Sequence, residues 1–95
     1  MIVGGTFSVP VTTSSTLIVG YSNARKSITF HPPPNNRVTI DDSPGVTLDN
    51  GPTLQQGQAP LTYRREDYGD LVSGPFYAIA NLATTLGYSE SMYYD

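Results

Sequence analysis

Residues 27–40, SITFHPPPNNRVTI, decide the class of fold. Apolar and polar residues alternate in SITF (27–30) and in RVTI (37–40), which is the pattern of half-buried strands. Between them, three prolines cannot donate hydrogen bonds to a sheet, and two asparagines tolerate the left-handed backbone of tight turns. We therefore predict adjacent strands joined by a stiff hairpin tip. The alternative, a proline-rich ligand for an SH3-type groove, is less favoured because the run is short.

The same strand pattern recurs along the rest of the chain. Further strands are predicted at residues 16–21, 46–48, 61–64, 76–80 and 85–91. Turn signals rich in Gly, Pro and Asn separate them at intervals of about 8–12 residues, as in sandwiches and barrels. Helix signals are weak, and at most one helical turn is expected near residues 66–71. The sequence predicts an all-β fold: a small antiparallel β-sandwich, jelly-roll-like, with little or no helix.

Chain length and cysteine content limit the organisation of the protein. The 95 residues suit one domain, which we assign to residues 12–95, preceded by an N-terminal strand or arm at residues 1–11. The sequence has no cysteine, so disulfides cannot reinforce the small core. Extra stability would then come from packing or from association of copies. We therefore expect a homo-oligomer.

The charge balance argues against several partners. Only 14% of residues are charged, five are Lys or Arg, and the net charge is −3. Binding to nucleic acid or to an anionic membrane surface needs a basic face, so neither is expected. The first residues resemble no secretory signal, and no apolar run approaches the roughly 20 residues that span a bilayer. We expect synthesis in the cytoplasm.

Few residues suggest chemistry. His31 is the single histidine, and the sequence offers no nucleophile, base and orienting group that can be nominated together. We predict no catalytic residue, no metal ligand and no cofactor. The aspartates Asp41, Asp42 and Asp49 do not follow an EF-hand pattern and are expected to cap turns. Calcium bound there in another geometry is the open alternative.

Two segments carry the features of a contact surface. Residues 63–75, YRREDYGDLVSGP, combine arginines with tyrosine and aliphatic residues, and such residues are enriched in interface hot spots. At the N-terminus, apolar residues flank a Gly-Gly joint that would let them reach a neighbouring chain. The predicted contact residues are Ile2, Val3, Phe7, Arg64, Arg65, Tyr68, Leu71 and Val72.

The chain resembles a small β-sandwich domain of virion proteins from tailed bacteriophages, found in head decoration or cement proteins and head-fibre bases. The resemblance covers about residues 12–90. Its matching pieces are Ile18-Val19, Asn23-Ala24-Arg25, the strand at 27–30, residues 54–57, Tyr77-Ala78-Ile79 and residues 84–90. The proline-rich 30–36 stretch, the long charged 64–74 loop and the added termini depart from that pattern.

The resemblance implies a non-enzymatic capsid decoration protein. Such a protein would bind the outer surface of the capsid and bridge neighbouring major capsid protein subunits on the virion, as a trimer. The alternative is a glycan- or receptor-binding module of a phage tail fibre or spike, with Tyr68, Tyr93 and Tyr94 as an aromatic platform. A small hydrolase is the least favoured class.

Overall fold

Eight strands make up about half of the protein in a computed structural model that describes residues 2–93, with side chains for residues 5–92. The strands are β1 (Ile2–Val11), β2 (Thr16–Val19), β3 (Arg25–His31), β4 (Arg37–Asp41), β5 (Thr53–Gln55), β6 (Leu61–Arg64), β7 (Phe76–Ala80) and β8 (Thr84–Tyr93). The helices are α1 (Arg65–Tyr68) and a 3₁₀ helix (Gly69–Ser73), both between β6 and β7. The predicted all-β fold with little helix is confirmed.

The strands form two antiparallel four-stranded sheets. Sheet A has the order β1-β8-β3-β6, and sheet B has the order β2-β7-β4-β5. Consecutive strands alternate between the sheets except for β4 and β5, and the first and last strands are neighbours. This is the arrangement of a jelly roll, in which Greek-key connections fold two sheets face to face. The predicted jelly-roll-like sandwich is therefore observed.

The core lies between the two sheets and is built from alternate residues of the strands. Phe30 of sheet A meets Phe76 of sheet B edge to face, with ring centroids 5.2 Å apart. Beside Phe76, β7 also turns Ala78 and Ala80 inward, and these small residues leave room for the two rings. The buried core comprises Val11, Ile18, Val19, Ile28, Phe30, Val38, Ile40, Leu54, Phe76, Ala78, Ala80 and Leu86.

The proline-rich stretch does not form the predicted hairpin. It is an arch between the sheets, since β3 belongs to sheet A and β4 to sheet B. His31 does extend β3, and Asn36 does adopt a left-handed backbone, with φ 68°. Pro33 is fully buried. Because the prolines stop the ladder and one of them packs inward, the chain leaves its sheet rather than folding back beside it.

The prediction of a strand at residues 46–48 is wrong. This segment is irregular, although Val46 is buried. Its backbone is bonded locally: the Thr47 N–H donates to Asn50 Oδ1 at 2.6 Å, and the Leu48 carbonyl accepts from Thr39 Oγ1 at 3.0 Å. These bonds occupy groups that a ladder would need. The short strand β5, which was not predicted from an alternating pattern, pairs with β4 instead.

The N-terminal segment is part of sheet A. β1 pairs with β8 in an unbroken register that runs from Ile2 opposite Tyr93 to Val11 opposite Thr84. Both strands are 10 residues long, whereas β2, which faces this pair from sheet B, has 4. No helix among the described residues is long and apolar enough to cross a bilayer.

Candidate contact surface

A buried arginine organises one end of the sandwich. A register shift in β3 turns Arg25 inward, where it is 2% exposed. Its Nε donates to Glu90 Oε2 at 2.7 Å. Its Nη1 donates to the carbonyls of Val72 at 2.9 Å and Gly74 at 3.1 Å, and its Nη2 donates to the Gly20 carbonyl at 2.8 Å. The planar guanidinium thus ties β8, the 3₁₀ helix and the β2–β3 loop together.

A second arginine anchors the helical segment from the other side. Arg65 Nε and Nη2 donate to the Arg25 carbonyl at 3.0 and 2.8 Å, and Nη2 also donates to the Asn23 carbonyl at 3.2 Å and to Ser73 Oγ. Nη1 lies 3.7 Å from the exposed carboxylate of Asp70. These bonds occupy most of its donors. Arg65 therefore mainly holds its own chain, and its predicted contact with a partner stays a prediction.

The apolar residues of this segment divide between core and surface. Val72 is fully buried, so the prediction that it anchors a partner is wrong, because the 3₁₀ helix lays it inside the sandwich. Leu71 is partly buried against the core. Tyr68 is 50% exposed and meets Tyr63 edge to face at 4.9 Å. Tyr68 is therefore the aromatic contact candidate in this segment.

Arg64 is the exposed arginine of the pair. Its side chain is 62% exposed and reaches Glu66 Oε1 only at 3.9 Å. An ion pair that is this long and this exposed contributes little, typically below about 1 kcal/mol. The Arg64 guanidinium can therefore exchange Glu66 for a carboxylate on another molecule at small cost.

Of the N-terminal contact candidates, Phe7 has a described side chain. It is 49% exposed and stacks on Tyr88 with ring centroids 5.4 Å apart. The ring also covers Gly5, since a Cβ added to Gly5 would lie 2.9 Å from Phe7 Cε2. Ile2 and Val3 lie on β1, and their side chains are outside the described residues.

The sheet register places the two predicted contact segments at the two ends of one row of paired residues across sheet A. Arg64 pairs with Ser27, Ser27 pairs with Ser91, and Ser91 pairs with Gly4. Three strand spacings of about 4.8 Å separate the ends of this row, so Arg64 and Gly4 are roughly 15 Å apart. The start of β1 and the end of β6 therefore lie at the same end of sheet A.

The outer face of sheet A is lined by hydroxyl groups. Ser27 Oγ lies 2.7 Å from Ser91 Oγ, and Thr29 Oγ1 lies 3.0 Å from Thr62 Oγ1. His31 Nε2 lies 2.9 Å from Ser89 Oγ, which gives the histidine a structural partner. We call this surface the hydroxyl face; by strand alternation it comprises Thr6, Ser8, Ser27, Thr29, His31, Thr62, Ser89 and Ser91. Sequence reasoning did not identify this face, although Ser or Thr occupies every second position of 27–30 and 89–91.

A basic cavity lies at the Arg64 end of the hydroxyl face. It has a volume of about 260 Å³ and is lined by Lys26, Ser27, Arg64, Arg65, Glu66 and Ser91. Three cationic side chains and two hydroxyls against one carboxylate make it suited to an anionic group. The lining of the cavity is thus positively charged, whereas the whole chain has a net charge of −3. Carboxylate recognition by arginine is strongest when it is bidentate, which an exposed Arg64 permits.

A second hollow, of about 600 Å³, is lined by amide side chains and one arginine: Asn36, Arg37, Gln55, Gln56 and Asn81. The Arg37 Nε atom is buried and makes no hydrogen bond. Asn81 Oδ1 accepts from the Arg37 backbone N–H at 2.8 Å, which fixes the orientation of that amide. The hollow offers polar groups to a polar ligand, without an aromatic platform among these lining residues.

The aspartates considered for calcium make a local contact. Asp41 Oδ1 accepts the Asp42 backbone N–H at 2.8 Å. A hydrogen bond from Asp41 and burial raise the pKa of Asp42 above its usual value. Across the described part of the chain, no three His, Cys, Asp or Glu side chains are grouped to hold a metal ion.

Comparison with known proteins bears on the fold. Neither a protein-family model nor a curated protein matches the sequence. Among solved structures, a chain from work on Bacillus endospore appendages, described as a family of disulfide-linked pili, matches with a TM-score of 0.57 and 14% identity. The match covers 99% of this chain and 89% of that one. The class defined here is therefore a small all-β sandwich domain, with a fold shared by a pilus protein.

Proposed function

We propose that the protein is a capsid decoration protein of a phage-like virion. It binds the outer capsid surface, bridges neighbouring major capsid protein subunits and acts as a homotrimer, without catalysis or a cofactor. The observation that carries this proposal is the row from Arg64 to Gly4, which brings both contact segments to one end of sheet A. A binding surface made by two distant segments suits a protein whose task is to hold partners together.

The rigidity of this end supports a mechanical role. Arg25 and Arg65 fix the helical segment through several backbone carbonyls, so Arg64 and Tyr68 are presented from a preorganised support. Preorganised groups lose little conformational entropy when they bind. A protein that binds only the assembled lattice stabilises it by mass action, and many copies on one shell add to the effect.

The fold comparison is compatible with an assembling subunit. The similar chain comes from pili described as disulfide-linked, whereas the 95 residues of this chain include no cysteine. Any assembly that this chain forms through its own residues is therefore not disulfide-linked. Its contacts would depend on shape, apolar area and charge, which makes them sensitive to salt where Arg64 takes part.

The alternative function is a glycan- or receptor-binding module of a phage tail fibre or spike. The amide-lined hollow around Arg37 favours it, because planar amides and an arginine can hydrogen-bond sugar hydroxyls. The predicted platform is less well supported: Tyr68 is half exposed and is not among the residues that line the hollow, and the side chains of Tyr93 and Tyr94 lie outside the described residues.

Occupancy on particles tests the proposed function. Particles assembled without the protein are incubated with the parent protein, Arg64→Ala or Arg37→Ala, and bound protein is quantified at low and high salt. The parent and Arg37→Ala should decorate the particles equally, while Arg64→Ala should bind more weakly and lose less affinity as salt rises. No binding of the parent at any salt would refute the proposal, and selective binding of the parent to host-cell glycans would favour the alternative.

A further inference from the structure

We propose that β1 forms an intermolecular sheet with β1 of a second copy of this chain. β1 lies at the edge of sheet A and pairs with β8 on one side; no other strand among residues 2–93 pairs with it. An unpaired edge of this kind exposes a row of backbone N–H and C=O groups that can bond to another strand. The inference concerns the contact between copies and does not depend on the proposed attachment to a capsid.

Protective features that natural edge strands usually carry are sparse on β1. Its sequence, IVGGTFSVPV, contains no charged residue, and its register with β8 has no bulge. Charged side chains, bulges and short length are the usual ways to prevent edge-to-edge pairing. β1 has one such feature, Pro10, close to its C-terminal end. Residues 2–8 are therefore open to a partner strand.

The length of β1 favours a second copy of β1 as the partner strand. The other edge strands of the described chain are β2 with 4 residues, β5 with 3 and β6 with 4. A ladder along most of the 10 residues of β1 requires a strand of similar length, and another β1 provides it. A strand that pairs with its own copy does so antiparallel about a two-fold axis, which gives a closed, isologous contact.

Pro10 also fixes which backbone groups face the open edge. In an unbroken ladder a proline must turn its nitrogen away from the paired strand, here away from β8. Since backbone direction alternates along a strand, Ile2, Gly4, Thr6 and Ser8 then direct their N–H and C=O groups outward. The outward N–H and C=O groups of all four residues form hydrogen bonds between the copies when Ile2 pairs with Ser8 of the other copy and Gly4 pairs with Thr6. The two-fold axis then passes between the two Gly5 residues.

This pairing would join the two A sheets into one sheet of eight strands. Because the axis is perpendicular to the sheet, the two hydroxyl faces form one continuous surface. A two-fold contact is distinct from the three-fold contact of the proposed trimer. It would link two chains in solution, or two trimers where the three-fold contact also exists.

Amide hydrogen exchange of the unmodified protein is the first test. At high concentration, the N–H groups of Thr6 and Ser8 should be as protected as those of Phe7 and Val9, which face β8. On dilution, protection at Thr6 and Ser8 should be lost while Phe7 and Val9 stay protected. Rapid exchange at Thr6 and Ser8 at every concentration would overturn the proposal. So would protection that requires added capsid protein, because the edge would then bind that partner.

Thr6→Lys and the matched control Thr62→Lys provide the second test. Both threonines are exposed on edge strands of sheet A. In the paired register, the substituted positions of the two Thr6→Lys copies are diagonal neighbours about 7–8 Å apart, so the introduced charges repel. By sedimentation equilibrium, Thr6→Lys should have half the mass of the parent, and Thr62→Lys the full mass. Equal masses for all three would overturn the self-pairing, whether or not the protein decorates particles.

Discussion

Arg25 Nε lies 2.7 Å from Glu90 Oε2, and this buried ion pair joins the beginning of β3 to β8. Arg25 is 2% exposed and the Glu90 side chain is 13% exposed. A charge buried to this extent is stable only because its partner and its hydrogen bonds are in place. Arg25 also bonds the Val72 carbonyl of the 3₁₀ helix, so loss of the pair should disturb the helical segment that carries Tyr68.

Arg25→Met should therefore be among the most damaging single changes in the chain. It leaves Glu90 without its counter-charge and three carbonyls without their donor, so we expect a loss of about 3–5 kcal/mol in the free energy of unfolding. Urea denaturation measures it, with the exposed Arg64→Met as the matched control. A loss below about 1 kcal/mol, within the range of an exposed ion pair, would show that the pair is not structurally important.

Arg64 and Arg65 should differ in how much each contributes to the free energy of unfolding. Arg64→Ala should change the free energy of unfolding by less than about 0.5 kcal/mol, because the side chain is exposed. Arg65→Ala should cost about 1.5–3 kcal/mol, because its charged hydrogen bonds to the Arg25 and Asn23 carbonyls are lost. Chemical denaturation and hydrogen exchange of residues 65–74 measure both effects. Equal effects in the two variants would contradict the assignment.

Substitutions at Asn36 should show how much free energy the left-handed backbone costs a residue other than glycine. Its φ is 68°, and its Nδ2 donates to Asn35 Oδ1 at 3.2 Å. Asn36→Ala and Asn36→Gly both remove that bond, but alanine also resists the positive φ. We expect Asn36→Ala to be less stable than Asn36→Gly by about 1 kcal/mol, as measured by thermal and urea unfolding. Equal stability of the two variants would indicate that the arch relaxes to another conformation.

Alkaline pH should destabilise the protein through Tyr63. Burial, followed by the nearby Tyr68, Asp41 and Asp42, raises the pKa of Tyr63 above its ordinary value of 10.0. The folded state therefore binds this proton more tightly than the unfolded state. The resulting stability is complete below about pH 10 and is lost as pH rises through the higher folded pKa.

Tyr63→Phe removes this contribution. The free energy of unfolding of the variant, measured by urea denaturation at a series of pH values, should fall less than that of the parent above about pH 10. A second group acts in the same direction, since burial and Glu90 raise the pKa of Tyr88 while Arg25 lowers it. Parallel pH profiles for parent and Tyr63→Phe would contradict the prediction.

The strands with clear alternation were predictable from sequence. The predicted segments at 61–64 and 76–80 coincide with β6 and β7, because period-two patterning and flanking turn residues are local signals. The assignment of these strands to the two sheets was not predictable from the sequence. A hairpin and an arch both need chain-reversing residues such as Asn36, and the choice between them depends on packing of Pro33 against distant parts of the chain.

The exposure of the candidate contact residues was predictable in part. Arg64, Tyr68 and Phe7 are exposed, as a contact role requires, but the sequence does not distinguish Arg64 from Arg65. The hydrogen-bond acceptors that occupy Arg65 include the carbonyl of Arg25, 40 residues earlier. Burial of Val72 also depends on the folded core rather than on its charged sequence neighbours. Such contacts are visible only when the sheets are assembled.

The position of β8 has a consequence for how the protein is made. β8 is the last of the eight described strands, yet it lies in the interior of sheet A between β1 and β3. During translation, β1 and β3 therefore stay without their shared neighbour until residues 84–93 have been made. Folding that depends on such distant pairing is slow compared with that of helical domains. Before β8 is available, the nascent chain thus exposes two sheet edges, which makes it prone to aggregation.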